Sequence, residues 1–173
     1  MTAIIVNRAP VLTLWAAIVA ERLGYGHATA LTLGKAVAGL NAQSKGQRLG
    51  IFEPPSAETR AKRAKARPAK TALLLGREVP VVSTPDGVRA VVRGRPESPA
   101  SVTRYLEQKF GAALPAVEEA MRALAMAHTP RALASAAFAL YERFRPDIPE
   151  GVRGWGAKGR LDLALLRTLA DEA

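Results

Sequence analysis

The run VLTLWAAIVA, residues 11–20, constrains the fold more than any other stretch. Pro10 stands where the first turn of a helix accepts proline. Val11, Leu14, Trp15, Ile18, Val19 and Leu23 recur at helical spacing, and Gly24 and Gly26 end the pattern. A bilayer span takes about 20 apolar residues, and no run in the chain reaches that length. Arg8 before the run and ATA (28–30) after it copy the outline of a secretory leader. Glu21 and Arg22 follow the apolar residues at once, so a packed helix is expected instead, in a cytoplasmic protein.

A second helix is expected over residues 28–43, with Ala30, Leu33, Val37 and Leu40 as its apolar stripe. Gly34 and Gly39 weaken it by roughly 1 kcal/mol each relative to Ala, a cost usually tied to a close neighbour. SKGQRLG (44–50) reads as a loop. The whole of 1–52 is then an N-terminal helical hairpin.

Residues 53–70, EPPSAETRAKRAKARPAK, hold three prolines and six basic side chains, with no large apolar residue beyond the start. They read as an exposed basic arm or linker. Beyond them, TPDG (84–87) has Pro, Asp and Gly where a β-turn wants them, so residues 79–93 are expected as a β-hairpin, with Pro80 on an edge strand. Ser98–Pro99, Pro115 and Thr129–Pro130 each open a helix, and Gly111 closes the first of these. A last helix is expected to carry Leu161, Leu165, Leu166 and Leu169. The class is mainly α (α+β): about six helices, one β-hairpin, and 71–173 as hairpin plus helical bundle. Aromatics make up only 5% of the chain, which suits close-packed helices better than a large β-sandwich.

The 173 residues contain no cysteine and two histidines, His27 and His128. Disulfides, thiolate chemistry and Cys-ligated zinc are excluded, and no His pair has metal-ligand spacing. No cofactor is implied. Glu118 and Glu119 are adjacent and so diverge on a helix, and neither His has a triad partner beside it. The chain reads as non-enzymatic.

The net charge of +10 is uneven. Residues 1–50 carry five basic side chains against one acid and residues 51–70 six against two, whereas 71–173 carry fourteen against twelve. A local excess defines a surface, and a surface of this sign suits a polyanion such as DNA or RNA.

Ala20, Gly24, Ala30 and Leu33 fall at the spacings of a helix–turn–helix, and VAERLG resembles the first half of that DNA-binding family. The resemblance covers residues 16–38. It implies that Gly26, His27, Ala28, Leu31, Thr32 and Lys35 face the groove, of which His27, Thr32 and Lys35 have side chains that can touch DNA. Two other readings of this segment stay open: a plain helical hairpin, and a hairpin that forms a homodimer. The whole chain also resembles an uncharacterised bacterial protein family, through LTLGKAVAGLNAQSKG and YERFRPDIPEGVRGWGAKG, with no activity attached.

The candidate nucleic-acid contacts are therefore His27, Thr32 and Lys35, the loop residues Lys45 and Arg48, and the arm residues Arg60, Lys62, Arg63, Lys65 and Arg67. RGRP (93–96) is similar to the core of the AT-hook, whose arginines lie in the minor groove, and it also reads as a strand end leading to a helix cap. Trp155 in GWGAKGR is a base-stacking or a plugging residue. Functionally the chain reads as a DNA-binding regulator or nucleoid-associated factor. The alternatives are an interaction or dimerisation module, and an enzyme using the Gly/Lys/Arg loops for a phosphorylated substrate.

Overall fold

The computed structural model describes residues 4–48, 70–148 and 157–173. Strand β1 (Ile4–Asn7) leads into helix α1 (Arg8–Arg22), and α2 (His27–Arg48) folds back on it. Strands β2 (Lys70–Leu74), β3 (Arg77–Thr84), β4 (Gly87–Val92) and β5 (Arg95–Pro96) follow. Helices α3 (Pro99–Phe110), α4 (Leu114–Met126) and α5 (Pro130–Phe144) come next, then β6 (Lys158–Leu161) and α6 (Leu163–Glu172). The fold is α+β and mainly helical.

The expected hairpin is the centre of a four-stranded antiparallel meander, β2-β3-β4-β5. It turns at Pro85–Asp86, between the paired Thr84 and Gly87. Thr84 Oγ1 donates to the Gly87 carbonyl at 2.7 Å, and Gly87 takes φ +121°, a left-handed value that favours glycine. Ser98 and Thr129 cap α3 and α5 with their hydroxyls, each with Pro in the first turn. Gly111 closes α3.

Four expectations need correction. The loop expected from residue 44 begins later, because α2 stays helical to Arg48. Leu161 belongs to a strand and not to the last helix, which starts at Leu163 behind an Asp162 cap. Its strand, β6, pairs antiparallel with β1, Ile4 opposite Leu161, in a second sheet unforeseen in the sequence. Strand β2 pairs with β3, so Pro80 lies on an inner strand opposite Thr71 and not on an edge strand.

The N-terminal hairpin lies at the centre of the molecule. Every residue of α1 from Pro10 to Ala20 is buried, so the helix has no solvent face over that span. Trp15 is wholly enclosed, donates its Nε1–H to the Ala137 carbonyl at 2.9 Å and meets Phe144 edge-on. Helices α4 and α5 cover one side of α1, and α2 covers another. Gly34 is the contact point with α2: a Cβ there would stand 2.4 Å from the Thr13 carbonyl oxygen. Only glycine lets the two backbones approach so closely.

Candidate nucleic-acid interface

Helix α2 lies along the sheet in a fixed register. Thr29 Oγ1 donates to the Val88 carbonyl at 2.7 Å. One turn on, Thr32 Oγ1 donates to the Thr29 carbonyl and accepts from the Ala90 backbone N–H at 3.0 Å. Further along, Arg77 Nη2 donates to Asn41 Oδ1 at 3.2 Å. The helix thus runs from the Pro85–Asp86 turn towards the opposite end of the meander, where both other turns lie, Leu75–Gly76 and Arg93–Gly94.

Of the six positions that a helix–turn–helix would turn to a groove, Leu31 and Thr32 are enclosed, while Gly26 and His27 are exposed and Ala28 and Lys35 are half-buried. Leu31 is buried and Thr32 has no exposed surface, its hydroxyl already shared between helix and strand. Strand β4 occupies the place of the groove. Thr32 is therefore a buried tie between two elements, a correction to its reading as a base contact. Leu31 does not supply an apolar dimer patch either, since it is buried within the chain.

The remaining sequence candidates separate. His27 is exposed at the start of α2, with Nδ1 3.4 Å from Glu21 Oε1, while Arg122 Nη2 stands 3.4 Å from Glu21 Oε2. Lys35 lies two turns further on, half-buried, with Nζ 3.6 Å from the centre of the Tyr105 ring. Burial lowers the Lys35 pKa below the usual lysine range, Lys109 and Arg93 lower it further, and Glu97 opposes them. Lys45 and Arg48 sit on the last stretch of α2, which continues about 10 Å past Asn41 at 1.5 Å per residue. Arg60, Lys62, Arg63, Lys65, Arg67 and Trp155 lie outside the described residues.

The structure adds residues that no sequence motif marked as a group. Arg77 flanks one turn of the far sheet end, and Arg93 and Arg95 flank the other. Lys109, on the last turn of α3, joins them through its proximity to Lys35. Both RGRP arginines are exposed, as an AT-hook would need, but a β-turn and a short strand hold them. The signal for this grouping is the alternation of turns in a meander, which puts every second turn at the same end. Opposite charge at this end comes from Glu78 and the half-buried Glu97.

Other N-terminal cations serve the fold. Arg8 Nε donates to the Pro146 carbonyl at 2.9 Å, and Arg22 Nη2 to the His128 carbonyl at 2.9 Å. Arg89, nearly buried, closes the hairpin turn through the Asp86 and Val88 carbonyls.

Among the described residues, no three His, Asp or Glu side chains gather where they could hold a metal. A cleft of about 340 Å³ is lined by Ile18, Glu21, Arg22, Arg122, Ala125 and Met126. Its carboxylate is already engaged by His27 and Arg122. No helix among the described residues is long and apolar enough to cross a membrane. The chain matches no protein-family model, no curated protein and no solved structure.

Proposed function

We propose that the protein binds nucleic acid by its phosphate backbone, without enzymatic activity and without reading bases through α2. The observation that carries this reading is the Asn41–Arg77 hydrogen bond, which holds the exit of α2 against the two-turn end of the sheet. The basic segment 53–70 follows Lys45 and Arg48, on the last turns of α2, and leads into β2, which enters the sheet at Lys70 opposite Val81 and runs towards that same end. One polyanion that meets both the arm's charges and the platform's is bound through both, and each neutralised phosphate adds to the salt dependence of binding.

The test is a titration of the intact protein with duplex DNA and with RNA over a range of salt. Replacing Arg60, Lys62, Arg63 and Lys65 with Ala weakens binding for all sequences alike and flattens the slope of log affinity against log salt by about 0.9 per lost contact. Arg77→Ala does the same on the platform side. Scrambling the target sequence leaves affinity unchanged, because backbone contacts position a protein without carrying sequence information. Absence of binding at low salt removes the reading. A second reading, an interaction module, rests on β2: its outer edge is unpaired within the sheet, and Leu73 on it is 67% exposed. Concentration-dependent self-association that is lost on Leu73→Lys would favour that one.

A further inference from the structure

We propose that Lys35, Arg93 and Lys109 form a ready-made seat for one phosphate group beside the Tyr105 ring. The seat names which contact of the interface above is built in advance, and it rests on that reading for a nucleic acid as its natural ligand.

The register of α2 on β4 brings the three cations together. Thr29 sits at Val88 and Thr32 at Ala90, so the next turn of the helix brings Lys35 level with Val92 and the turn after it. That turn holds Arg93 at φ +55° and Gly94 at φ +78°, both left-handed. A non-glycine residue at such a φ is uncommon and is held there by its surroundings. Arg93 is thereby fixed at the rim, and its exposed side chain is not tied into the sheet. From the other side α3 packs against α2 and brings Tyr105 under Lys35, with Lys109 one helical turn away.

The donors have no acceptors. The Lys35 ammonium carries three N–H donors, and the described structure gives it only the face of an aromatic ring. Among the described residues, neither the Arg93 nor the Lys109 side chain has a hydrogen bond or an ion pair, and no carboxylate lies within ion-pair distance of any of the three. Glu97 acts on the Lys35 charge more strongly than Lys109 or Arg93 does, but it stands beyond ion-pair distance and is one carboxylate among three cations. A half-buried ammonium between two like charges is a costly arrangement, and an anion relieves it. A phosphate suits the opening because it offers several acceptor oxygens to donors that arrive from a helix, a turn and a second helix. A backbone phosphodiester and a free phosphate present the same chemistry.

The experiment follows the Lys35 side-chain Cε–Hε signals and the Tyr105 ring signals by NMR in the intact protein. Inorganic phosphate is titrated against sodium chloride of equal ionic strength. Phosphate, and not chloride, is expected to shift both sets of signals saturably and to raise the pH at which Lys35 loses its proton. Lys35→Met keeps an apolar stem over the ring and should abolish the phosphate-specific shift at Tyr105. Lys109→Gln, at an exposed position, should weaken phosphate by about fivefold, the worth of one exposed ion pair. A duplex without terminal phosphates identifies the source: displacement of inorganic phosphate assigns the seat to the nucleic-acid backbone. Phosphate binding that the duplex does not displace keeps the seat and assigns it to free phosphate. Equal responses to phosphate and chloride, or a phosphate-specific Tyr105 shift that survives in Lys35→Met, would overturn the proposal.

Discussion

Helices α1 and α3 are of similar length, 15 and 12 residues, and are used in opposite ways. Helix α3 buries Val102, Leu106 and Phe110, four residues apart, and leaves most of its other side chains at least partly exposed. Helix α1 buries every residue from Pro10 to Ala20. The spacing in α3 states which side faces inward. The composition of α1 states only that the helix is inside, because a helix enclosed all round has no side to declare. A surface motif drawn across α1 and α2 therefore has no location until their neighbours are known. Here the neighbour is β4, and it covers the segment that resembles a DNA-reading helix.

The largest expected effect in this comparison is at Trp15. Trp15→Ala removes an enclosed ring and the indole N–H bond to the Ala137 carbonyl, at a cost of about 3–5 kcal/mol in urea or thermal unfolding. Next is Gly34→Ala, whose Cβ would press on the Thr13 carbonyl oxygen and the Ala17 backbone nitrogen. Overpacking of this kind costs about 1–3 kcal/mol, even though Ala favours helix. Thr32→Val keeps the shape and strands the Ala90 N–H, again at about 1–3 kcal/mol, and it leaves nucleic-acid affinity untouched when measured on folded protein. A loss of sequence discrimination in Thr32→Val with stability intact would break the comparison.

A smaller effect comes with alkali. Burial pushes both Tyr141 and Tyr105 up to about 12, from an ordinary value of 10.0. Between those values the unfolded chain has released the phenolic protons and the folded chain still holds them. Stability is therefore full below pH 10.0 and falls as pH rises towards about 12. Tyr141→Phe should lessen that fall more than Tyr105→Phe, since Tyr141 is the more deeply enclosed. Unfolding measured across this range, with phenolate absorbance alongside, checks it. The smallest effect belongs to the outer face of α3: Glu107→Ala should change stability by no more than about 0.5 kcal/mol.

The parts of the fold legible in the sequence are those whose cause is local. Ser98, Thr129 and Thr84–Gly87 act on backbone groups within a few residues, so they could be read off the chain. The parts that were not legible depend on distant partners. Strands β1 and β6 have four residues each, too few for a period to show; β1 is a strand because β6 lies beside it, and β6 is held by β1 and by a bridge from Asp147 to Arg160. Thr32 looks like any helical threonine until Ala90, 58 positions away, offers its N–H. The candidate site divides in the same way. Its charge could be counted from the sequence, but the grouping of Lys35, Arg93 and Lys109 follows from the register of α2 on β4. The RGRP match marked two of the right arginines for a different geometry.

The pairing of β1 with β6 also sets a timetable. Residues 4–7 are made well before their partner strand at 158–161. At 5–20 residues per second the ribosome takes roughly 8–30 s to cover that interval. Throughout it residues 4–7 lack the strand they pair with, and they are joined directly to the apolar helix that the rest of the protein later encloses. The nascent chain thus holds its central helix and the segment before it in waiting, and translation speed over the stretch between the two partners decides how long they wait.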